Sequence, residues 1–384
     1  MIVYFLIFIL AVFLYIRSNE DNEQSKLVLG IYLAGLALFV GCADMLGGYD
    51  RYIYGEVFDQ MALMTQAGGD VTLSAGYRLF ATEWGFLGFN QLISYITLNR
   101  YVFIFIATCV IYTLLFISIK QYCRNYSFAV IVFLGLWFFF TFTYLRQVMA
   151  ATIGWLAIKY AIDRKPIQFF SIVFIAFTFH NSAIVLAPFY FVPAKKFQPL
   201  FVILALVAAL AIGMGNMLSD LVAESDAFID AARAEQNANY IEEGTFRIEY
   251  FIEAILFAGL LIWKYDAFDD ENPKEIVLLN MALVFCAILL MFVRSENGGR
   301  IAWHYMMGII SSVTHLATSP NHKNDAITGA LILMFGILFL RILIAWGVLL
   351  SPYKTFFTDG HREGDIIYKI YEYDPKYNED KFYK

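Results

Sequence analysis

Acidic, basic and histidine side chains occur at a few points of a chain that is otherwise strongly apolar. The stretches that carry them are GGYDRYIY (residues 47–54), EWGF (83–86), RQ (146–147), FHNSA (179–183) and RSENGGRIAWHY (294–305). A histidine in such a setting can take up a proton or donate a hydrogen bond to phosphate. An arginine stays charged and holds phosphate oxygens through paired hydrogen bonds. These residue types indicate chemistry on a phosphorylated substrate.

The elements that must position these residues are membrane-spanning helices. Hydrophobic residues make up 60% of the 384 and charged residues 16%, with a mean hydropathy of +0.63. A soluble domain carries about a quarter charged residues and could not bury this much apolar surface. We therefore predict an all-α polytopic membrane protein with about 12 transmembrane helices (11–13). The net charge of −6 gives no sign of a nucleic-acid partner.

The apolar runs predict one domain rather than several. Residues 1–350 read as a single transmembrane domain with outer loops at about 44–100 and 214–247, and residues 351–384 as a polar C-terminal tail. The first run lacks a basic segment and a cleavage site, so we interpret it as a retained span. The four cysteines are scattered and suggest neither a disulfide framework nor a zinc site.

The run at 167–193 decides the predicted side of the tail. It is too long for one span and short for two, so we predict a broken or re-entrant hairpin that turns at His180. The hairpin gives twelve spans and puts both termini outside, whereas one tilted helix gives eleven spans and a cytoplasmic tail. Because the hairpin keeps Arg294 and Arg300 on the side of Asp50, we predict the outer tail.

Arginine supplies all the positive charge of the predicted outer segments before the tail. Those residues are Arg51, Arg78, Arg100, Arg146, Arg233, Arg247, Arg294 and Arg300, whereas the inner loops are rich in lysine. Counting basic residues alone leaves the orientation undecided, because the tail adds six more to the outer side. The arginines favour a phosphorylated, membrane-borne substrate. The alternative is that arginine simply prefers aromatic-rich interfaces.

In their order along the chain, these motifs resemble those of the EpsG family of Wzy-like bacterial polysaccharide polymerases. That family has a Gly-x-Asp-x-x-x-Tyr motif in its first outer loop, matched by GGYDRYIY, and then a segment with a glutamate, matched by EWGF. An Arg-Gln pair, an FH-x-SA turn and a late arginine followed by a tyrosine come next. The last is matched by GRIAWHYMMG, and the resemblance covers about residues 40–310.

The resemblance implies a glycosyltransferase of GT-C-like architecture. Such an enzyme joins oligosaccharide repeat units carried on undecaprenyl pyrophosphate, at the outer face of the bacterial inner membrane. Its active site faces the periplasm or the exterior, and its product is an exopolysaccharide, capsule or O-antigen. The expected partners are the lipid-linked donor and acceptor, the lipid bilayer and a chain-length regulator. We expect an inverting reaction with no cofactor and no metal.

The resemblance also assigns roles to residues. The candidates for the base that takes the proton of the acceptor hydroxyl are Asp50, Glu83 and His180, and the choice among them stays open. Candidates for pyrophosphate or substrate binding are Arg146 with Gln147 as first choice, Arg300 as second, and Arg51, Tyr54, Arg294, Tyr305 and Arg341. The alternatives are a helix-terminal charge for Glu83, an interface arginine for Arg146 and a structural histidine for His180.

Local features complete the sequence-based expectations. Gly47 and Gly48 predict a tight turn before Asp50. An amphipathic helix that opens at Glu83 is expected to lie on the membrane. The small residues at 150 and 154 predict close helix packing beside the Arg-Gln pair.

Two other functions compete with the polymerase. A ligase of related architecture would move a finished glycan to a different acceptor, and the sequence does not separate it from a polymerase. A lipid-oligosaccharide flippase or other transporter would show paired repeats and ionisable residues deep in many spans. The acidic run FDDEN at 268–272 reads as a solvated inner loop rather than a metal or nucleotide-sugar site.

Overall fold

A computed structural model describes residues 1–18, 25–45, 50–215, 245–295, 298–319, 324–351 and 353–357. These residues form helices and no strand, apart from one isolated bridge between Ala43 and Thr355. The prediction of an all-α fold is therefore confirmed for the described part of the chain. The glycine turn at 47–48, most of the outer loop at 214–247 and the tail from 358 onward lie outside it.

The α-helices of the described residues are, in chain order, α1 (Ile2–Arg17), α2 (Lys26–Gly41), α3 (Arg51–Gln66), α4 (Ala75–Leu79), α5 (Trp84–Ser94), α6 (Arg100–Tyr122), α7 (Tyr126–Leu136), α8 (Leu145–Trp155), α9 (Ile158–Ile162), α10 (Pro166–Phe179), α11 (Pro199–Met214), α12 (Ile248–Trp263), α13 (Pro273–Met291), α14 (Gly298–Ala302), α15 (Met306–Thr318), α16 (Asp325–Ala345) and α17 (Gly347–Leu350). Short 3₁₀ segments occur at Val71–Leu73, Phe138–Phe142, Asn181–Phe191, Tyr265–Ala267 and Trp303–Tyr305.

Within the described residues, three helices are long and apolar enough to cross a membrane: α6, α13 and α16. Shorter apolar elements of 10–17 residues accompany them, namely α1, α2, α7, α10, α11 and the segment Asn181–Phe191. A straight helix needs about 20 apolar residues to cross the hydrocarbon core. The helices support a polytopic membrane protein, and they do not confirm the predicted count of about 12 spans.

The chain divides into two compact units. The first consists of Met1–Leu156, Ile172–Ile184 and Ala317–Lys384, and the second of Ala157–Ser171 and Val185–Leu316. The prediction of a single transmembrane domain stays a prediction. The first unit holds four of the five sequence motifs.

The predicted break in the run at 167–193 is present. α10 ends at Phe179, His180 is not helical, and a 3₁₀ segment follows from Asn181. On both sides of the break, alanines pack against α8, because Ala150, Ala176 and Ala183 form one fully buried cluster. Small side chains at these positions let the backbones approach closely, as the spacing at 150 and 154 predicts.

The predicted amphipathic helix at 84–94 is present as α5, and its packing differs from the expectation. Phe86, Leu87 and Ile93 are fully buried within the first unit, whereas Leu92 is 63% exposed. Phe86 lies with its ring centroid 5.9 Å from that of Tyr54 on α3. Part of the apolar face of α5 therefore packs on protein, and the contact of the exposed part with the membrane stays a prediction.

The first residues of the tail return to the segment that precedes α3. Tyr353 stacks on Phe39 with 4.1 Å between ring centroids, and its hydroxyl donates to the Phe39 carbonyl over 2.7 Å. The amide of Phe356 donates to the Cys42 carbonyl, and that of Asp44 to the Lys354 carbonyl. The end of α2 and the start of the tail therefore lie at one end of the first unit.

Candidate functional site

An ion pair joins the EWGF and RQ motifs. Nη1 of Arg146, in the first turn of α8, bonds Oε2 of Glu83 just before α5. The Glu83 side chain is fully buried and that of Arg146 is 15% exposed. Because burying a carboxylate is costly unless it is paired, the contact with Arg146 stabilises Glu83 in this position. The structure thus brings together two predicted site residues that are 63 positions apart.

Aromatic rings enclose the Arg146 guanidinium. Its central carbon lies 3.8 Å from the Phe80 ring centroid and 5.6 Å from that of Tyr54. Stacking of this kind contributes about 0.5–2 kcal/mol and fixes the plane of the guanidinium. Burial raises the pKa of the Tyr54 phenol to about 12, so this group is neutral at physiological pH. We call Tyr54, Phe80, Glu83 and Arg146 the arginine cage.

The guanidinium retains donor capacity within the arginine cage. An arginine has five N–H donors in a planar fork. Arg146 uses Nη1 for Glu83 and also contacts the Tyr54 hydroxyl, and its buried Nε has no hydrogen-bond partner among the described residues. The buried Nε is not the group that an anion reaches; an anionic oxygen can approach this preoriented cation only at the 15% of the side chain that is exposed.

Asp50 stands at the start of α3, beside the arginine cage. It is half-buried, and its backbone amide donates to Oγ1 of Thr143 over 2.8 Å, just before α8. Its carboxylate does not cap α3 and acts electrostatically on Tyr54 four residues later. Residues four apart share one face of a helix, so Asp50 and Tyr54 are on the same side.

Arg51 faces a different direction from Asp50. Its fully buried guanidinium donates through Nη2 to the carbonyls of Val40, Gly41 and Ala43 over 3.0–3.1 Å, and through Nη1 to Phe142 over 3.4 Å. These contacts satisfy carbonyls at the end of α2, where the helix dipole favours a cation. Burial lowers the pKa of Arg51 to about 10, which leaves it charged at neutral pH.

The FHNSA motif contacts the residue directly before EWGF and the glutamine of the RQ motif. Nδ2 of Asn181 donates to Oγ1 of Thr82 over 2.7 Å, and Nε2 of Gln147 donates to Oγ of Ser182 over 3.3 Å. Ser182 in turn contacts Nδ1 of His180 through its backbone amide and its hydroxyl. A methyl group at Gly85 would come within 3.1 Å of the Thr178 backbone, so the glycine permits this close approach. Glu83 and His180 thus take part in neighbouring contacts: Glu83 bonds Arg146, and the next residue, Gln147, bonds Ser182, which contacts His180.

A match to a family model identifies the family of the chain. Residues 36–355, most of the chain, match the model of the EpsG family. The chain belongs to the EpsG family. EpsG proteins are Wzy-like polysaccharide polymerases, so the function is of the polysaccharide polymerase type. No curated protein and no solved structure matches the chain.

The remaining predicted site residues of this EpsG protein belong to the second unit or to α16. Arg294, Arg300 and Tyr305 are in the second unit: Arg294 Nη1 donates to the Met214 carbonyl, Arg300 is exposed, and the buried Tyr305 hydroxyl donates to the Val185 carbonyl over 2.7 Å. Arg341 is exposed on α16 of the first unit. Their part in the site stays a prediction.

Sequence reasoning on this EpsG protein missed three side chains that take part in these contacts. Phe80 stacks on Arg146, Asn181 bonds Thr82, and Ser182 contacts His180. Asn181 and Ser182 lie inside the FHNSA motif, so their polar types beside His180 were an available signal. Phe80 carries no such signal, because a phenylalanine among many apolar residues does not mark a cation site.

Proposed function

We propose that this EpsG protein joins oligosaccharide repeat units, carried on undecaprenyl pyrophosphate, into a surface polysaccharide at the outer face of the bacterial inner membrane. The observation that carries the proposal is the oriented Arg146 of the arginine cage, in a protein of the polymerase family whose Asp50 acts electrostatically on the same Tyr54. The substrates are a lipid-linked donor chain and a lipid-linked acceptor unit. Both reach the site from the bilayer.

The reaction is an inverting glycosyl transfer. The acceptor hydroxyl oxygen attacks the anomeric carbon of the donor chain, and the bond from that carbon to the pyrophosphate oxygen breaks. The electron pair leaves with the pyrophosphate, where negative charge builds up, and the hydroxyl proton goes to a base. The products are the extended chain on its acceptor lipid and free lipid pyrophosphate.

Asp50 is the proposed base. It is half-buried at the open start of α3, whereas the Glu83 carboxylate is fully buried and bonded to Arg146. A base must reach the hydroxyl proton in the bound state, which favours the more accessible carboxylate. In this assignment, Glu83 positions Arg146 and does not touch the substrate.

Arg146 is the proposed donor to the leaving pyrophosphate, with Gln147 beside it. Arg300 is the proposed second cation for pyrophosphate, Arg294 and Arg341 are weaker candidates, and Tyr305 is a further candidate for substrate binding. Arg51 contributes differently: its bonds to the end of α2 support a role in holding the start of α3.

The proposed side of the tail follows from its contacts once the site is taken to be outside. The residues at 353–357 lie against the end of α2, directly before the GGYDRYIY motif. The start of the tail is therefore at the end of the first unit from which α3 begins. With an outer site, the tail begins outside, as the twelve-span arrangement requires.

The base assignment is tested with Asp50→Asn in purified, reconstituted protein supplied with one synthetic lipid-pyrophosphate-linked repeat unit. The wild type should form a ladder of polymer, since a polymerase uses the same unit as donor and acceptor and a ligase does not. Asp50→Asn should bind the unit with near-normal affinity and extend it at least about 10²-fold more slowly. A ladder of normal rate from Asp50→Asn would move the base role to another residue.

A further inference from the structure

We propose that the start of the C-terminal tail is part of the active-site scaffold. Residues 353–357, which we call the C-terminal strap, hold the end of α2 and, through Arg51, keep Asp50 in place for proton transfer. The inference rests on the proposed function for the role of Asp50 as the base. It makes Tyr353 a positioning residue, in a segment whose sequence reads only as a polar tail.

The C-terminal strap pairs with the chain directly after α2. Ala43 and Thr355 lie opposite each other in an antiparallel bridge. The two backbone hydrogen bonds at residues 42 and 44 that flank this pair measure 3.1 and 3.0 Å. Because these bonds flank the pair and do not join it, its two Cα atoms are about 4.5 Å apart. The pairing fixes the register of the strap against residues 42–44.

Tyr353 anchors the C-terminal strap to α2 itself. Its ring stacks on that of Phe39 with 4.1 Å between centroids and 11° between planes, and its hydroxyl donates to the Phe39 carbonyl over 2.7 Å. The ring also meets that of Tyr4 edge-on at 6.2 Å, and the Tyr4 hydroxyl donates to the Leu350 carbonyl over 2.9 Å. One tyrosine thus connects the strap to α1 and α2.

Arg51 and the C-terminal strap share the carbonyl groups at the end of α2. The last carbonyls of a helix have no partner within the helix and need other donors. Five successive carbonyls accept hydrogen bonds from these two partners, those of residues 40, 41 and 43 from Arg51 and those of residues 39 and 42 from the strap. The strap therefore holds the same turn that Arg51 binds.

Arg51 connects this turn to Asp50, the next residue along the chain. Arg51 also donates to the Phe142 carbonyl over 3.4 Å, and the Asp50 amide donates to Oγ1 of Thr143 over 2.8 Å. The start of α3 is thus held by the end of α2 and by residues 142–143. Without the strap the end of α2 is less constrained, and Arg51 transmits its movement to Asp50. A misplacement of about 1 Å at a reacting group lowers a rate by about 10².

Two truncations separate the C-terminal strap from the rest of the tail. The family region, residues 36–355, ends inside the strap. A chain that ends after Phe357 keeps the strap and should form polymer within about twofold of the wild-type rate. A chain that ends after Ser351 should be about 10²-fold slower per folded molecule, with a KM for the lipid-linked repeat unit within about threefold. A wild-type rate in the shorter chain would overturn the inference.

Point variants of Tyr353 test the positioning role in the full chain. Tyr353→Phe keeps the stack on Phe39 and should stay within about threefold of wild type, whereas Tyr353→Ala should be about tenfold slower. In an Asp50→Asn background, Tyr353→Ala should cost nothing further, because it acts through Asp50. A further tenfold loss there would overturn the positioning role.

Tyr15→Ala is the matched control for Tyr353→Ala. The Tyr15 ring packs edge-on against that of Phe128 at 5.3 Å, near the other end of α1 from Tyr4. Its loss removes a comparable ring contact from the same unit. The rate per folded molecule should therefore stay at the wild-type value.

A disulfide tests the contacts of the C-terminal strap without any activity. Ala43→Cys and Thr355→Cys, in a Cys42→Ser background, put two thiols on a pair whose Cα separation suits a disulfide. Diamide should form this bond in most of the folded protein, as mass spectrometry of peptides would show, and its absence would overturn the placement of the strap. A bond that forms in protein without any polymerase activity would instead reject the proposed function and leave the strap intact.

The same disulfide should replace the anchor that Tyr353 provides. With both cysteines present, Tyr353→Ala should regain most of its lost rate on oxidation and lose it again on reduction, because the bond holds the strap against residue 43. An oxidised protein as slow as the reduced one would overturn the role of Tyr353 as a positioning residue.

Discussion

The ion pair between Glu83 and Arg146 gives the sharpest prediction, because the two residues have different roles in the proposed mechanism. Three variants are needed: Glu83→Gln, Arg146→Met and the double variant. Arg146→Met keeps an unbranched apolar chain against the Phe80 ring and removes the cation. Glu83→Gln keeps size and a hydrogen-bond acceptor for Nη1 and removes the negative charge.

The burial of the pair sets the effect on stability. The Glu83 side chain has no exposure to solvent and that of Arg146 has 15%. Removing one partner of a buried ion pair costs about 3–5 kcal/mol, because the other charge stays buried without compensation. We expect this loss in Arg146→Met. The double variant should regain most of it, since a neutral amide replaces the buried carboxylate. Thermal unfolding in detergent measures the stability of each variant, and Arg146→Met should be less stable than the double variant.

The effect on the rate follows from a positioning role of Glu83. A neutral amide at position 83 keeps a hydrogen bond from Arg146 but loses the attraction between opposite charges that helps to fix the guanidinium. We expect Glu83→Gln to be about tenfold slower, equivalent to about 1.4 kcal/mol of transition-state stabilisation. Arg146→Met should be about 10²–10³ slower. Adding Glu83→Gln to Arg146→Met should change nothing further, because Glu83 would act through an arginine that is no longer there.

The assay is the rate of chain extension by purified protein, normalised to folded protein. Arg78→Met is the matched control, since Arg78 is an exposed arginine on α4, and it should extend chains at the wild-type rate. The reasoning fails if Glu83→Gln is slower by 10² or more both alone and in the Arg146→Met background. That result would identify Glu83 as the base.

Three further predictions follow from the fold and the charges. Arg51→Gln should lower the free energy of unfolding by about 2–3 kcal/mol, because charged hydrogen bonds to the end of α2 are lost. Denaturation in detergent measures this loss, and an unchanged free energy of unfolding would contradict the role of these bonds. Arg300→Ala should reduce polymer by about 10²–10³ while the protein stays inserted, and near-normal polymer in a membrane assay would remove Arg300 from the site. Alkaline phosphatase fused after residue 357 should be active, whereas fluorescence of a cytoplasmic reporter there would place the tail inside.

The sequence was sufficient to predict the break at His180 and the helix after Glu83. The run at 167–193 has a length that fits neither one span nor two, and the polar residues His180, Asn181 and Ser182 near its middle mark the place for a break. Four motifs of the first unit could also be expected near one another once the order of the family motifs was recognised. Two examples of contacts in and beside these motifs are the bond from the Asp50 amide to Thr143 and the bond between Ser182 and His180.

Other features required three-dimensional packing. The face of α5 is apolar in sequence, and nothing in its pattern distinguishes a lipid surface from the aromatic rings of α3. The pairing of Glu83 with Arg146 joins residues 63 positions apart, and no local rule predicts which charges meet. Arg51 had a local signal that was not used: adjacent residues in a helix point in different directions, so Asp50 and Arg51 do not share a face.

The central claim is that a glycan chain moves from its lipid pyrophosphate to the hydroxyl of a second lipid-linked unit. The most direct measurement is the stoichiometry of the reconstituted reaction with a single lipid-linked repeat unit, followed by mass spectrometry of both glycan and lipid products. We predict that one free lipid pyrophosphate is released for each new glycosidic bond, and that the growing chains stay attached to lipid pyrophosphate. Free glycan formed by hydrolysis, or consumption of the unit without longer lipid-linked chains, would contradict the account.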